Sequence, residues 1–555
     1  MNVSSYPILY RVLDDPAEWA SHAPFRRANV EGWARGDHQP ALIYADWLEE
    51  QGDVARAETI RLQVERDGLP LSDPRRVRLD TRLEWLCNRP AFAHPDEQGR
   101  LRSLRVAWLS EGPKIPGVEL IDFRGGMAAR GLIWVDQEPA EAVAERLARV
   151  LQETEIREFD FASETLDEST HQLGALVVQA LLLLPSDLAQ RIQLLHLPGI
   201  EGDPMLTPFS PLDALARSGS FKGLRELAVP TRIHDGGIEG WAMASQAFPN
   251  LARLSLSLLP DGRILDQPPG QIRVENRPTL QPRWLLEGGL LQQLDHLWLG
   301  LTQIRSGNPT AWGDLARLGA LSGLRSIALQ IYEHEIENVL MLLDNWRGEA
   351  LETLWIRGAS SIRSASLFRR GLEMGPVWAA LFSRGRFPAL CHLSLEGLSW
   401  NAATLSEFLT ATDLDRLTHL GLVDLRIESG VSWGRVRCRP ASLSLVHLGL
   451  NDRGLAELAQ WQGLESVVKL DLSHNEFRTP GLTAFVNSGR LTALREWDLS
   501  GNRLNEEGVR TLLESDQFAD DFVLHYPPPL VWVTFGGSPA VRGFMERFGL
   551  NLRTF

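Results

Sequence analysis

Three histidines stand out for their type and spacing: His392, His419 and His447, separated by 27 and then 28 residues. Imidazoles stacked at such a repeat suit zinc and similar ions and titrate near neutral pH. The positions two residues on are Ser394, Gly421 and Gly449, so no Asp, Glu or Cys completes a ligand set beside them. The histidine row is therefore read as a polar, solvated binding surface without a metal. A metal-dependent or enzymatic site on the same histidines is the alternative. The two glycines leave that surface open to close approach. A second constellation is Trp298 and Trp355 flanking Ala328. Two exposed indoles with a small residue between them predict a cleft for an apolar or aromatic side chain, and tryptophan is enriched where binding energy concentrates. With His296 and Arg357 nearby, the candidate partner-binding set is Trp298, Trp355, His296, Arg357, His392, His419 and His447.

Catalytic patterns are missing. The chain holds no glycine-rich phosphate loop, no Gly-x-Ser-x-Gly elbow and no His-Glu-x-x-His helix. Glu158, Asp160, Asp471 and Asp498 fall at opposite ends of the array described next, too far apart for an acid/base pair. The expectation is a non-enzyme with no cofactor.

These residues are positioned by a repeating segment. Val467 to Asn475 and Leu494 to Asn502 both spell apolar-x-x-apolar-x-apolar-x-x-Asn, 27 residues apart. Alternating apolar residues of a short strand share one face, and the asparagine satisfies backbone groups where the chain turns. The unit resembles the leucine-rich repeat, and the outer helices and a spacing near 28 resemble its ribonuclease-inhibitor type. Clear matches start at Ile156, Ile192, Leu224, Leu251, Leu294, Leu324, Leu351, Leu390, Leu417, Leu445, Val467 and Leu494, with weaker ones at Leu101 and Val118. The resemblance implies an α/β solenoid: a curved parallel sheet on the concave face, helices on the convex face, and in-strand polar residues lining the concave wall. Three longer gaps, 260–282, 360–370 and 427–441, read as insertions that either bind or merely decorate the surface.

Ahead of the array the pattern is helical. Leu42, Ile43, Trp47 and Leu48 recur at helical spacing, Gly52 supplies a stop, and Asp53 caps the helix from Val54. The run Ala41 to Asp53, continuing to Gln63, resembles the repeat-companion domain found before leucine-rich repeats in many bacterial proteins. Phe123-Arg124-Gly125-Gly126-Met127 resembles that family's aromatic-Arg-Arg-Gly-Phe segment, with Gly125 and Met127 departing from it. Asp46 is expected to pair with Arg56 or Arg61, and Trp47 to pack the hairpin into the first repeats. The helices are expected to cap the open end of the solenoid.

The predicted organisation is a poorly ordered segment (1–24), a helical capping domain (25–135), the solenoid (136–525) and a C-terminal cap (526–555). A net charge of −15 argues against nucleic acid and anionic membranes as partners. Cys87, Cys391 and Cys438 form no disulfide framework, and no secretory or membrane-spanning segment is evident. The expectation is a cytoplasmic protein-recognition scaffold with a protein partner, serving as a sensor or adaptor in a bacterial defence or regulatory system. A structural subunit docking through its convex helices is the other alternative.

Overall fold

The computed structural model describes residues 23–88, 90–95, 101–103, 114–124, 127–136, 138–163, 170–197, 211–231, 245–258, 289–300, 319, 321–332, 336–359, 375–383, 385–398, 400–425, 427, 429–505, 507–508, 511–512, 515 and 522–525. Residues 1–22 of the expected segment 1–24, the insertions at 260–282 and 360–370, and the C-terminal cap at 526–555 lie outside the described residues, while residues 23 and 24 open a helix.

Four helices come first: α1 (Ala23–Arg35), α2 (Gln39–Glu50), α3 (Val54–Gly68) and α4 (Arg75–Asn88). Gly52, just past α2, takes φ +88, which side chains with a Cβ disfavour. The Asp53 carboxylate then accepts the Arg56 N–H at 3.1 Å and starts α3. Ala41, Tyr44, Ala45, Leu48, Ala57 and Ile60 form a small core belonging to these helices alone. Trp47 stacks on Phe25 with ring centroids 5.3 Å apart and packs against this helical core. Arg61 takes both Asp46 (2.7 Å) and Glu49 (2.6 Å), whereas Arg56 turns to Asp53 at 3.1 Å.

Strands follow. β1 (Pro90–Pro95) and β2 (Leu101–Ser103) make an antiparallel ribbon. β3 (Val118–Arg124) and β4 (Met127–Trp134) pair antiparallel, and β3 is the edge of a 15-stranded sheet. From residue 90 to 135 the described chain is therefore largely strand, not helix.

From β4 onward every neighbour is parallel: β5 (Glu158–Ala162), β6 (Leu194–His196), β7 (Glu226–Thr231), β8 (Arg253–Leu258), β9 (His296–Gly300), β10 (Ser326–Tyr332), β11 (Thr353–Ala359), β12 (His392–Glu396), β13 (His419–Val423), β14 (Ser442–Val446), β15 (Lys469–Asp471), β16 (Glu496–Asp498) and β17 (Val523–His525). Helices fill the outer layer, beginning with α5 (Ala140–Glu153), whose Val143, Leu147, Val150 and Leu151 are buried. This is an open α/β repeat solenoid. In-register Leu393, Leu420, Leu443, Leu470 and Trp497 turn inward and are all within 1 % of complete burial. Sequestering such side chains, at about 1.5–3 kcal/mol each, holds one coil on the next.

Two turn devices recur. Five residues after the first strand position, the chain takes positive φ at Gly397, Asp424, His447, His474 and Gly501. Near the C-terminal end, Asn475 donates from Nδ2 to the Leu445 (2.7 Å) and Leu472 (2.9 Å) carbonyls. Its Oδ1 accepts the Leu448 and Leu450 N–H groups, both at 3.1 Å. One amide thus stitches two successive turns, as the repeated asparagine predicts.

The 427–441 stretch is not an excursion. First strand positions lie 27 residues apart from His392 to His419 and from Ser442 to Lys469, but only 23 apart from His419 to Ser442. A single 3₁₀ turn, Trp433–Arg435, replaces the outer helix there, and Trp433 is buried 5.6 Å from the Trp461 ring.

The placement of the helices differs from an end cap. Thr418 Oγ1 donates to the Leu71 carbonyl at 3.4 Å, and Thr81 Oγ1 donates to Glu496 Oε2 at 3.2 Å. The helical module therefore reaches strands β13 and β16, far along the array.

Candidate functional site

The outward side chains of the parallel strands stack in rows. One row runs Glu158, Leu194, Glu226, Arg253, His296, Ser326, Thr353, His392, His419, Ser442, Lys469, Glu496. The next runs Asp160, His196, Ala228, Ser255, Trp298, Ala328, Trp355, Ser394, Gly421, Ser444, Asp471, Asp498. Of the sequence-derived candidates, His296, Trp298, Trp355, Arg357, His392 and His419 stand on this one wall. His447 does not.

His447 follows β14, at φ +52, exposed, with its Nδ1 3.1 Å from Asp424 Oδ1. Ser442 takes its expected place in the row, and Ser444 that of Gly449. The row of three histidines is thus a pair, His392 and His419, with ring centroids 5.6 Å apart and His419 Nδ1 sharing a hydrogen bond with Ser442 Oγ at 3.0 Å. Burial, with the charges of His392 and Lys469 behind it, pushes His419 down to about 4. Burial and then Arg76 lower His392 as well. Both are neutral at pH 7. Among the described residues no group of three or more His, Cys, Asp or Glu is placed to hold a metal ion.

The predicted tryptophan cleft is also revised. Trp298, Ala328 and Trp355 are in register, but the two indoles lean over the small alanine and stack on each other, centroids 6.3 Å apart and 21° between planes. The space expected between them is filled by the rings themselves. What they present is a half-buried aromatic platform. At its edges lie His296, lowered by burial and then by Arg253, and Arg357, which is ion-paired to Glu396 at 3.1 Å.

Charged networks flank this platform on both sides, with ion pairs inside each. At the C-terminal end Lys469 Nζ meets Glu496 Oε1 at 2.6 Å, and His525 Nε2 lies 3.5 Å from the same oxygen. At the N-terminal end His196 lies between Asp160 (2.7 Å) and Glu226 (3.4 Å). Arg253 reaches Glu226 at 3.3 Å, and Arg130 lies near Glu158 and Asp160. Sequence reading missed this cluster. The available signal was His196, which alternates with the buried Leu195 and sits in register with Asp160.

Burial opposes the charge of His196, yet the carboxylates of Asp160 and Glu226 outweigh it and raise the group to about 9. Its stabilisation is complete below the ordinary value of 6.5 and is lost as the pH rises through about 9. We expect about 1–2 kcal/mol from this group after discounting for its partial exposure. Urea unfolding of the parent and of His196→Gln should differ most near pH 6 and converge above about pH 9. A difference that stays constant with pH contradicts the assignment.

The sequence profile described as Leucine Rich repeat matches residues 464–486 and 491–513. No curated protein matches the chain. Among solved structures, an internalin from Listeria monocytogenes aligns at 14% identity over 70% of this chain and 97% of its own, with a TM-score of 0.30. A likeness at that level carries no argument about function. Among the described residues no helix is long and apolar enough to cross a membrane.

Proposed function

We propose that this chain, a leucine-rich repeat protein, is a non-catalytic recognition scaffold that binds a protein partner on its concave wall at the Trp298–Trp355 platform. The observation behind this reading is the contrast along that wall. Charged groups at both ends are ion-paired with one another, whereas the stacked indoles are a large apolar surface between them. Desolvating paired charges is costly, while covering half-buried aromatic rings is favourable, so a partner gains most in the middle. A sensor or adaptor role in a bacterial multi-protein system, in the cytoplasm, is the setting that suits such a scaffold.

The test is differential capture from the native host, read by mass spectrometry. A Trp298→Ala/Trp355→Ala chain should lose proteins that the parent retains. A chain altered on the outer layer, at exposed Arg453 of the helix Asp452–Leu458, should retain them. Loss with Arg453→Glu and retention with the tryptophan double variant would instead favour docking through the convex helices.

A further inference from the structure

The concave wall already has an occupant, and it belongs to the same chain. Leu71, between α3 and α4, meets Thr418 just before β13, and Thr81 of α4 meets Glu496 of β16. The ten residues from Leu71 to Thr81, a turn followed by the start of α4, reach from β13 to β16, three strand spacings or about 14 Å along the wall. Farther along α4, Glu84 is close enough for its charge to act on Lys469 of β15 and His525 of β17. At the other end of the helix Arg76 acts on His392 and Cys391. Thr81 is 3 % exposed and Glu496 4 %, so the contact between them excludes solvent.

The same contact is poorly built as a permanent one. The core of the helices and the core of the solenoid are separate clusters, with no α1–α4 residue in the large one. Two hydrogen bonds between them are long, at 3.2 and 3.4 Å, the second to a backbone carbonyl. Interfaces of this polar kind between parts of one chain move relative to each other by default. At the N-terminal side Arg27 of α1 is close enough for its positive charge to act on Arg157 and Arg191, where Glu155 counters it.

We propose that the α1–α4 module is a releasable intramolecular occupant of the concave wall over β12–β17, and that a protein partner reaches His392 and His419 only when the module has left. This rests on the recognition reading above and extends it. The half-buried platform at Trp298 and Trp355 lies outside the stretch the module reaches, and the histidine stretch is the part uncovered on release.

The experiment uses the full chain and no partner, so its outcome is independent of whether the tryptophan platform captures anything. Spin labels go on Glu65→Cys, exposed on α3, and Arg453→Cys, exposed on the outer layer, in a chain with Cys87→Ser. Cys391 and Cys438 are buried, with thiols raised by burial to about 11 and about 12, and stay unlabelled. The parent should give one narrow distance distribution. Thr81→Glu sets a second carboxylate against Glu496 and should shift most of the population to a longer, broader one, while Thr81→Ser keeps the hydroxyl and the narrow distance. In parallel, modification of His392 and His419 by diethyl pyrocarbonate should rise several-fold in Thr81→Glu. An unchanged distance and unchanged histidine reactivity in a Thr81→Glu chain whose melting matches the parent would overturn the proposal.

Discussion

Leu470→Asp should detach the last coils from the solenoid and leave the rest standing. Leu470 is 1 % exposed and sits in register between Leu443 of β14 and Trp497 of β16. Removing the leucine forfeits about 2–5 kcal/mol of packing, and an unpartnered carboxylate in the same place costs several kcal/mol more. In a solenoid each coil is held by its neighbours, so the damage stays local. Hydrogen exchange should show protection lost in β15–β17 and kept in β5–β11. Uniform loss along the whole array, or no loss at all, contradicts this register.

Asn475→Leu is the second large effect. The asparagine is 3 % exposed, and its amide serves Leu445, Leu448, Leu450, Leu472 and Ser473. Leucine fits the volume but leaves two buried N–H groups and the carbonyls without their partner. At about 1–3 kcal/mol for each orphaned group, the loss should total about 3–5 kcal/mol. Asn475→Asp should be nearly as harmful, because it replaces the Nδ2 donors by an acceptor facing the Leu445 and Leu472 carbonyls. Urea midpoints of both variants check this, and a loss under about 1 kcal/mol would mean that the turns hold without the amide.

Both effects were legible in the chain itself, because strand alternation and the turn asparagine are local features that each coil repeats. The register at β14 was not, and the cause is one residue. Pro440 stands where neighbouring coils have Leu417, Val467 and Leu494, so the next apolar run, Leu445-x-x-Leu448-x-Leu450, satisfies the template better than the true strand. That displacement put His447 and Gly449 on the wall in place of Ser442 and Ser444. The tryptophan pair was legible as a position and not as a shape, since the lean of two rings over Ala328 depends on side-chain torsions that spacing leaves open. The docking of the helices had no sequence signal at all. Its hydrogen bonds join residues 347 and 415 apart, and nothing in α4 distinguishes a face made for the wall from an ordinary solvated one.

Whether the indoles of the wall are offered to a partner while the buried tryptophans hold the coils is read most directly by oxidative footprinting of the full chain. Trp298 and Trp355 should oxidise early in the free protein, well before buried Trp346, Trp378, Trp400, Trp433, Trp461 and Trp497, and should become protected in the captured complex. Oxidation of Trp298 and Trp355 as slow as that of the core six, or unchanged by the partner, would contradict it.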